Sequence, residues 1–214
     1  MTFPAESPRR PAITLSNLTV TKRGQIICQV TNATIARGNT VGITGPNGSG
    51  KSTLLRVLAG LETDFEGNVH IDIPLADRVF VHQSPYLFSG TVLDNVEYGL
   101  KARSVAKFAR RELAERWLAH FDIGHLASRS ARSLSGGEAR RTALARACVL
   151  EPELLLLDEP LADLDAAGAE LVAQSLKELS GSTILLSSPT PLPQNLTQST
   201  IDLTGANIDK RITE

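Results

Sequence analysis

Residues 45–53 read GPNGSGKST and match the pattern G-x-x-x-x-G-K-[ST]. In such a loop the glycines let the backbone curl until successive N–H groups point inward at phosphate oxygens. Gly45, Pro46, Asn47, Gly48, Ser49, Gly50, Lys51, Ser52 and Thr53 therefore form a candidate phosphate cradle. Lys51 can reach the outer phosphates, and Ser52 can place its hydroxyl on Mg²⁺. A second group of chemistry-bearing residues closes the run LLLLDEP (154–160). Asp158 fits the second, carboxylate ligand that such a loop needs near Mg²⁺. Glu159 can orient or deprotonate a water for attack on a γ-phosphate. Together the two stretches imply nucleotide phosphate chemistry.

These residues need a scaffold of strand ends and helix starts. TVGITG (40–45) reads as a short strand leading into the Gly-rich loop, with a helix from Ser52 to Ala59 stopped at Gly60. Before it, Ile13, Leu15, Leu18 and Val20 mark a strand of rough period two, and QIICQVTNATI (25–35) a second. GNVHIDI alternates Val69, Ile71 and Ile73 as a half-exposed strand, and RVFVHQ follows as another. The middle turns helical over 91–100, 104–121 and 136–150. In the second of these helices Val105, Phe108, Leu113, Trp117 and Leu118 are expected near one face. ELLLLDE and TILLS are wholly apolar strands separated by the helix AAGAELVAQSLKEL, and STIDLTGANIDKRITE ends in a strand with a turn at Gly205. Apolar strands alternating with helices predict an α/β protein whose parallel sheet is covered on both faces.

Composition narrows the class. The chain has 214 residues, 42% hydrophobic and 21% charged, as in an ordinary globular protein. Lys plus Arg (22) nearly balances Asp plus Glu (23), so no overall field points to nucleic acid, and no nucleic-acid partner is expected. No apolar stretch is long enough to cross a bilayer, and MTFPAESPRRP lacks the apolar segment of a signal peptide. Cys28 and Cys148 match no metal or redox spacing and are read as buried free thiols.

LSGGEARRTALARA (134–147) lies just ahead of the acidic strand. Ser135, Gly136 and Gly137 open a helix and so form a second anion-binding end. With this stretch in place, the chain resembles the nucleotide-binding subunit of ATP-binding cassette (ABC) proteins, importer-like, over about residues 12–208. The resemblance implies a P-loop NTPase (RecA-like) core with an N-terminal antiparallel β-subdomain and an inserted α-helical subdomain. It implies a flexible tail over 1–11 and one ATPase domain over 12–214: core at 12–84 and 150–214, helical subdomain and signature helix at about 85–149. It implies ATP and Mg²⁺ as cofactors and a homodimer in which two chains sandwich two ATPs head to tail. Ser135, Gly136, Gly137 and Glu138 (Glu where the family signature has Gln) would then close over the partner's ATP. Gln83 matches the glutamine that touches Mg²⁺ and the attacking water and links the core to the insert. Asp165, in LADLD, matches the aspartate that contacts the opposite subunit. Tyr86, Leu87 and Phe88 fall where the family docks the coupling helix of a membrane subunit. The partner would thus be a separate transmembrane permease, with this chain peripheral on the cytoplasmic face of the membrane. The segment YLFSGTVLDNVEYGLKARSV resembles importer subunits for small anions such as tungstate or molybdate. The C-terminal regulatory domain of some importers is not expected.

Two family features are absent. Where an aromatic normally stacks on adenine, the sequence reads VTKRGQ, with Lys22 and Arg23 ahead of Gly24. Where T-H-D or S-H-D normally follows the last buried strand, Pro189 stands at the histidine position and Thr190 at the aspartate position. Proline offers neither a side-chain donor nor a backbone N–H, and none of His70, His82, His120 or His125 can substitute by sequence position. Ser188 or Thr190 would supply at most a weaker contact. The expectation is intact ATP binding with slow hydrolysis, in a subunit powering import of a small solute or anion. The alternative is a soluble or regulatory ABC-type ATPase with weak hydrolysis. The long coiled coils of DNA-repair members and the fused cassettes of translation members have no counterpart in the sequence.

Overall fold

The computed structural model of the protein describes residues 10–162, 164–193 and 196–203, so the expected lead-in and the turn at Gly205 lie outside the described residues. Strands β1 (Pro11–Lys22) and β2 (Gln25–Ala36) form a hairpin whose tight turn, Arg23-Gly24, takes positive φ at both residues (52° and 76°). That is the turn geometry whose twist matches the flanking strands. Strand β3 (Thr40–Thr44) follows, then helix α1 (Lys51–Leu58) and strand β4 (Glu66–Ile71), which pairs antiparallel with the other edge of β1. The phase slip between Leu15 and Leu18 in the apolar pattern has a cause. Asn17 adopts φ 51°, the β1–β4 register shifts between Ser16 and Thr19, and Gly67 sits against the irregularity. A Cβ on Gly67 would lie 2.2 Å from the Asn17 carbonyl oxygen, so only glycine fits.

The second sheet is parallel. Its strands are β3, β5 (Arg78–Val81), β6 (Leu154–Leu157), β7 (Thr183–Ser188) and β8 (Ser199–Asp202), in the order β5-β6-β7-β3-β8. Between β5 and β6 the chain builds three helices: α2 (Val92–Ala102), α3 (Lys107–His120) and α4 (Gly136–Cys148). Helix α5 (Ala166–Lys177) connects β6 to β7. The sheet separates two apolar cores. On one side Leu155, Leu157, Ile184 and Leu186 pack with the three inserted helices and α5. On the other Leu154, Leu156 and Leu185 pack with α1 and the antiparallel sheet. Covering both faces is why β6 and β7 read as unbroken apolar runs.

One expectation is corrected. Phe108 is not on the buried face of α3 but 84% exposed, whereas Ala114, Trp117 and Leu118 are buried. Phe108 lies nine positions before Trp117. At about 100° per residue that is half a turn out of phase. The helix itself begins at Lys107, later than the periodicity suggests.

Candidate active site

The carboxyl ends of β3, β6 and β7 meet at one edge of the parallel sheet, where ligands of such sheets bind. The loop leaving β3 bends through Gly45, Gly48 and Gly50, all with positive φ. At Gly50 (φ 93°) a Cβ would stand 2.3 Å from the Ile27 carbonyl oxygen and 2.8 Å from Cys28 Cβ. The loop therefore lies directly on β2, which no other residue type would permit. No side chain caps the start of α1, so its first N–H groups face the loop. Lys51 is 3% exposed, and its ammonium donates to the carbonyls of Gly45 (2.8 Å) and Pro46 (3.0 Å). It stands 4.0 Å from Glu159 Oε1.

Asp158 is 6% exposed at the tip of β6. Its Oδ1 accepts from Ser52 Oγ (2.9 Å) and from Ser187 Oγ at the end of β7 (2.7 Å). Glu159 takes a left-handed conformation (φ 48°), and its N–H donates to Ser187 Oγ at 2.9 Å. Gln83, two residues beyond the end of β5, donates from Nε2 to Glu159 Oε2 at 2.7 Å. Arg140 reaches in from α4. It donates to the carbonyls of Glu159 (2.9 Å) and Ala162 (2.7 Å) through Nη1, and of Gln83 (3.1 Å) through Nη2. A cavity of about 350 Å³ runs from Asn47, Gly48 and Lys51 to Gln83 and Glu159, with Ile27 of β2 at its side.

Of the residues singled out in the sequence, Lys51, Ser52, Asp158, Glu159 and Gln83 thus come together. The signature residues Ser135, Gly136, Gly137 and Glu138 do not line this cavity. Ser135 caps α4: its hydroxyl accepts from Glu138 N–H (3.3 Å), and its own N–H donates to Glu138 Oε2 (2.7 Å). The Ser135 N–H and, after it, the Ser135 hydroxyl hold the Glu138 carboxyl below its usual range, and Arg129, 3.6 Å away, adds to the effect. Asp165 caps α5, accepting from Gly168 N–H at 2.8 Å. At the turn after β7, Ser188 accepts from Thr190 N–H at 3.2 Å, and the two hydroxyls are 3.4 Å apart. Lys22 is engaged in an ion pair with Glu62.

Sequence reasoning missed three residues here. Arg140 carries only the weak signal of a basic residue after LSGGE. Ser187 is the first polar residue after the apolar Ile184, Leu185 and Leu186 of β7. Ile27 is one apolar residue among several in β2.

Tyr86 and Phe88, but not Leu87, line a separate groove of about 410 Å³ together with Phe80, Tyr98 and Leu150. Tyr86 is 72% exposed. Its ring centroid lies 5.8 Å from that of Phe88, which stacks with Tyr98 at 4.3 Å and lies under the Arg146 guanidinium at 5.0 Å. Buried Asn95 staples this loop to α2. Its Oδ1 accepts from Phe88 N–H (2.8 Å), and its Nδ2 donates to the carbonyls of Phe88 (3.0 Å) and Thr91 (2.9 Å). No helix among the described residues is long and apolar enough to cross a membrane.

The profile of the family described as ABC transporter matches residues 28–162. The tungstate uptake system ATP-binding protein TupC of Peptoclostridium acidaminophilum is 37% identical over 182 residues, covering 81% of this chain and 85% of TupC. The Fe(3+) ions import ATP-binding protein FbpC of Mannheimia succiniciproducens is 36% identical over 184 residues, covering 82% of this chain. The match takes in 52% of FbpC, so the chain spans about half that protein's length. Among solved structures, cbiO1 from Clostridium perfringens, part of the ABC transporter complex cbiONQ, superposes with a TM-score of 0.78 at 27% identity. That alignment covers 90% of this chain and 84% of cbiO1. An inward-facing putative metal-chelate type ABC transporter superposes with a TM-score of 0.73 at 29% identity, over 91% of this chain and 80% of that one.

Proposed function

The chain belongs to the ABC transporter family as an ATP-binding domain, and from that premise we propose that it binds and hydrolyses ATP to power a membrane importer of a small solute or anion. The names of TupC and FbpC, both ATP-binding proteins of uptake systems, support import. The observation that carries the enzymatic reading is the convergence of Ser52 on Asp158 and of Gln83 on Glu159 beside the buried Lys51.

The loop N–H groups and Lys51 bind the phosphates. Ser52 and Asp158 are hard oxygen donors already within 2.9 Å of each other, a set that fits Mg²⁺, which takes one or two protein oxygens and completes its shell with phosphate and water. When bound, the ion neutralises charge on the phosphate oxygens. Glu159, held by Gln83, orients and deprotonates the attacking water. Ile27, three residues beyond Gly24 and so not at the position of the family's aromatic, lines the cavity and offers the base an apolar contact.

At the signature end of α4, Ser135 and Gly136 are exposed and Gly137 and Glu138 half-buried, and none of them lines the chain's own cavity. This supports a head-to-tail homodimer in which Ser135, Gly136, Gly137 and Glu138 cover the partner's ATP, with Asp165 at the same contact. The groove lined by Tyr86 and Phe88 suits the coupling helix of a separate permease, which supports a position on the cytoplasmic face of the membrane. Exposed aromatics over an apolar groove are the usual anchors of such contacts.

One observation favours a second reading, a regulatory ATP-binding subunit with weak hydrolysis: Pro189 stands where the γ-phosphate histidine is expected, and Ser188 and Thr190 are bonded to each other. In either case hydrolysis is slow. Single-turnover hydrolysis with Glu159→Gln tests the main reading. Removing a positioned base costs about 10²–10⁴ in rate, with ATP binding retained. An unchanged rate would overturn it.

A further inference from the structure

Ser187 connects both acids of the site to β7, although no motif assigns it a role. We propose that Ser187 is a positioning residue for Asp158 and Glu159, supplying from the end of β7 part of the order lost at Pro189. The proposal rests on the reading of the chain as an ATPase.

Ser187 is 1% exposed. A hydroxyl has one proton, and here it goes to Asp158 Oδ1 at 2.7 Å, which leaves a lone pair for the Glu159 N–H at 2.9 Å. The direction of this chain of hydrogen bonds is therefore determined. It runs from the Glu159 backbone through Ser187 to the Asp158 carboxylate.

Each end of that chain needs support. Glu159 holds a left-handed backbone (φ 48°), which a residue with a Cβ keeps only when its surroundings fix it. Ser187 secures its N–H, and Arg140 secures its carbonyl. Asp158 Oδ1 has two donors, Ser52 and Ser187. Ser52 is the one that would turn to the metal, so Ser187 is the donor left to hold the plane of the carboxylate. The pairing of Ser187 with Ile43 of β3 ties the same strand end to the strand that carries the phosphate loop.

A buried serine with its capacities filled also fits a purely structural role, and the test must separate the two. In the full chain, binding of the fluorescent analogue MANT-ATP is measured in EDTA and in Mg²⁺, beside single-turnover hydrolysis and thermal melting, for Ser187→Ala, Ser187→Thr and Ser187→Cys. In Ser187→Ala, affinity in EDTA stays within about twofold, while the gain on adding Mg²⁺ and kcat each fall on the order of tenfold, the size of one lost hydrogen bond to a charged group. KM moves less than kcat. Ser187→Thr restores both quantities, and Ser187→Cys, a weak donor of similar size, lies between. A folded Ser187→Ala with wild-type Mg²⁺ gain and kcat overturns the proposal. If Ser187→Ala does not fold, Ser187→Cys decides: wild-type values overturn it, and reduced values with unchanged EDTA binding support it. Failure of the wild type to bind MANT-ATP at all would instead defeat the underlying ATPase reading.

Discussion

Asn95→Ala separates the aromatic docking loop from the helix that carries it. The side chain makes three hydrogen bonds to the backbone of Phe88 and Thr91, and it is 1% exposed. At about 1 kcal/mol net for each bond the loss is about 3 kcal/mol. The better helix propensity of alanine returns roughly 0.6 kcal/mol, so the expected destabilisation is about 2–3 kcal/mol. For a chain of this size that lowers Tm by about 5–10 °C. The assay is thermal unfolding followed by circular dichroism, paired with limited chymotrypsin digestion, because freeing the loop exposes Tyr86 and Phe88 to cleavage. Asn95→Asp sharpens the test. It keeps the acceptor for Phe88 N–H and for Arg146 Nη1, which lies 3.4 Å from Oδ1, but turns a carboxylate oxygen toward two carbonyls, so it should recover at most part of the loss seen with alanine at pH 8. A Tm shift below about 2 °C with unchanged digestion would refute the idea that Asn95 sets the loop.

Two further outcomes follow from the site. Pro189→His restores a side-chain donor at the turn after β7 and raises single-turnover hydrolysis tenfold or more; a variant no faster than the parent would sink the expectation of impaired hydrolysis. Ser135 holds the Glu138 carboxyl below its usual 4.5, so that group's contribution to stability is present above about pH 5 and is lost as pH falls through the depressed value. Carboxyl NMR titration checks this, and a Glu138 midpoint at or above the ordinary value would contradict the capping geometry.

Much of the site was legible because its residues are local in sequence. The phosphate loop and α1 follow one another directly, and Asp158-Glu159 close an apolar run whose length marks a buried strand. Gln83 carried no signal of its own and was reached only through the family resemblance. Arg140 and Ser187 were not legible, because their partners lie 19 to 57 residues away in sequence and depend on how β5, β6, β7 and α4 converge. The misplacement of Phe108 has a different origin. The apolar residues of that stretch do not share one helical phase, and the last turns of α3 bury their large side chains while the first does not. The slip within β1 looked like imprecise alternation and proved to be a backbone irregularity centred on Asn17.

The four residues of β6 are all leucine. A slide of this strand by one position would exchange the faces it presents to the two cores, yet most slots would still hold leucine. Apolar packing alone therefore specifies its register only weakly. What forbids the slide is the charge at each end. Moving one way draws Asp158 into the slot of Leu157, and moving the other draws in Glu153; either buries a carboxylate without its partners, at a cost of several kcal/mol. Asp158, bonded through its N–H to Val81 and through its side chain to Ser52 and Ser187, thus acts as the end-stop of a strand otherwise free to misalign. Replacing Asp158 would be expected to blur the alignment of the central sheet as well as the chemistry.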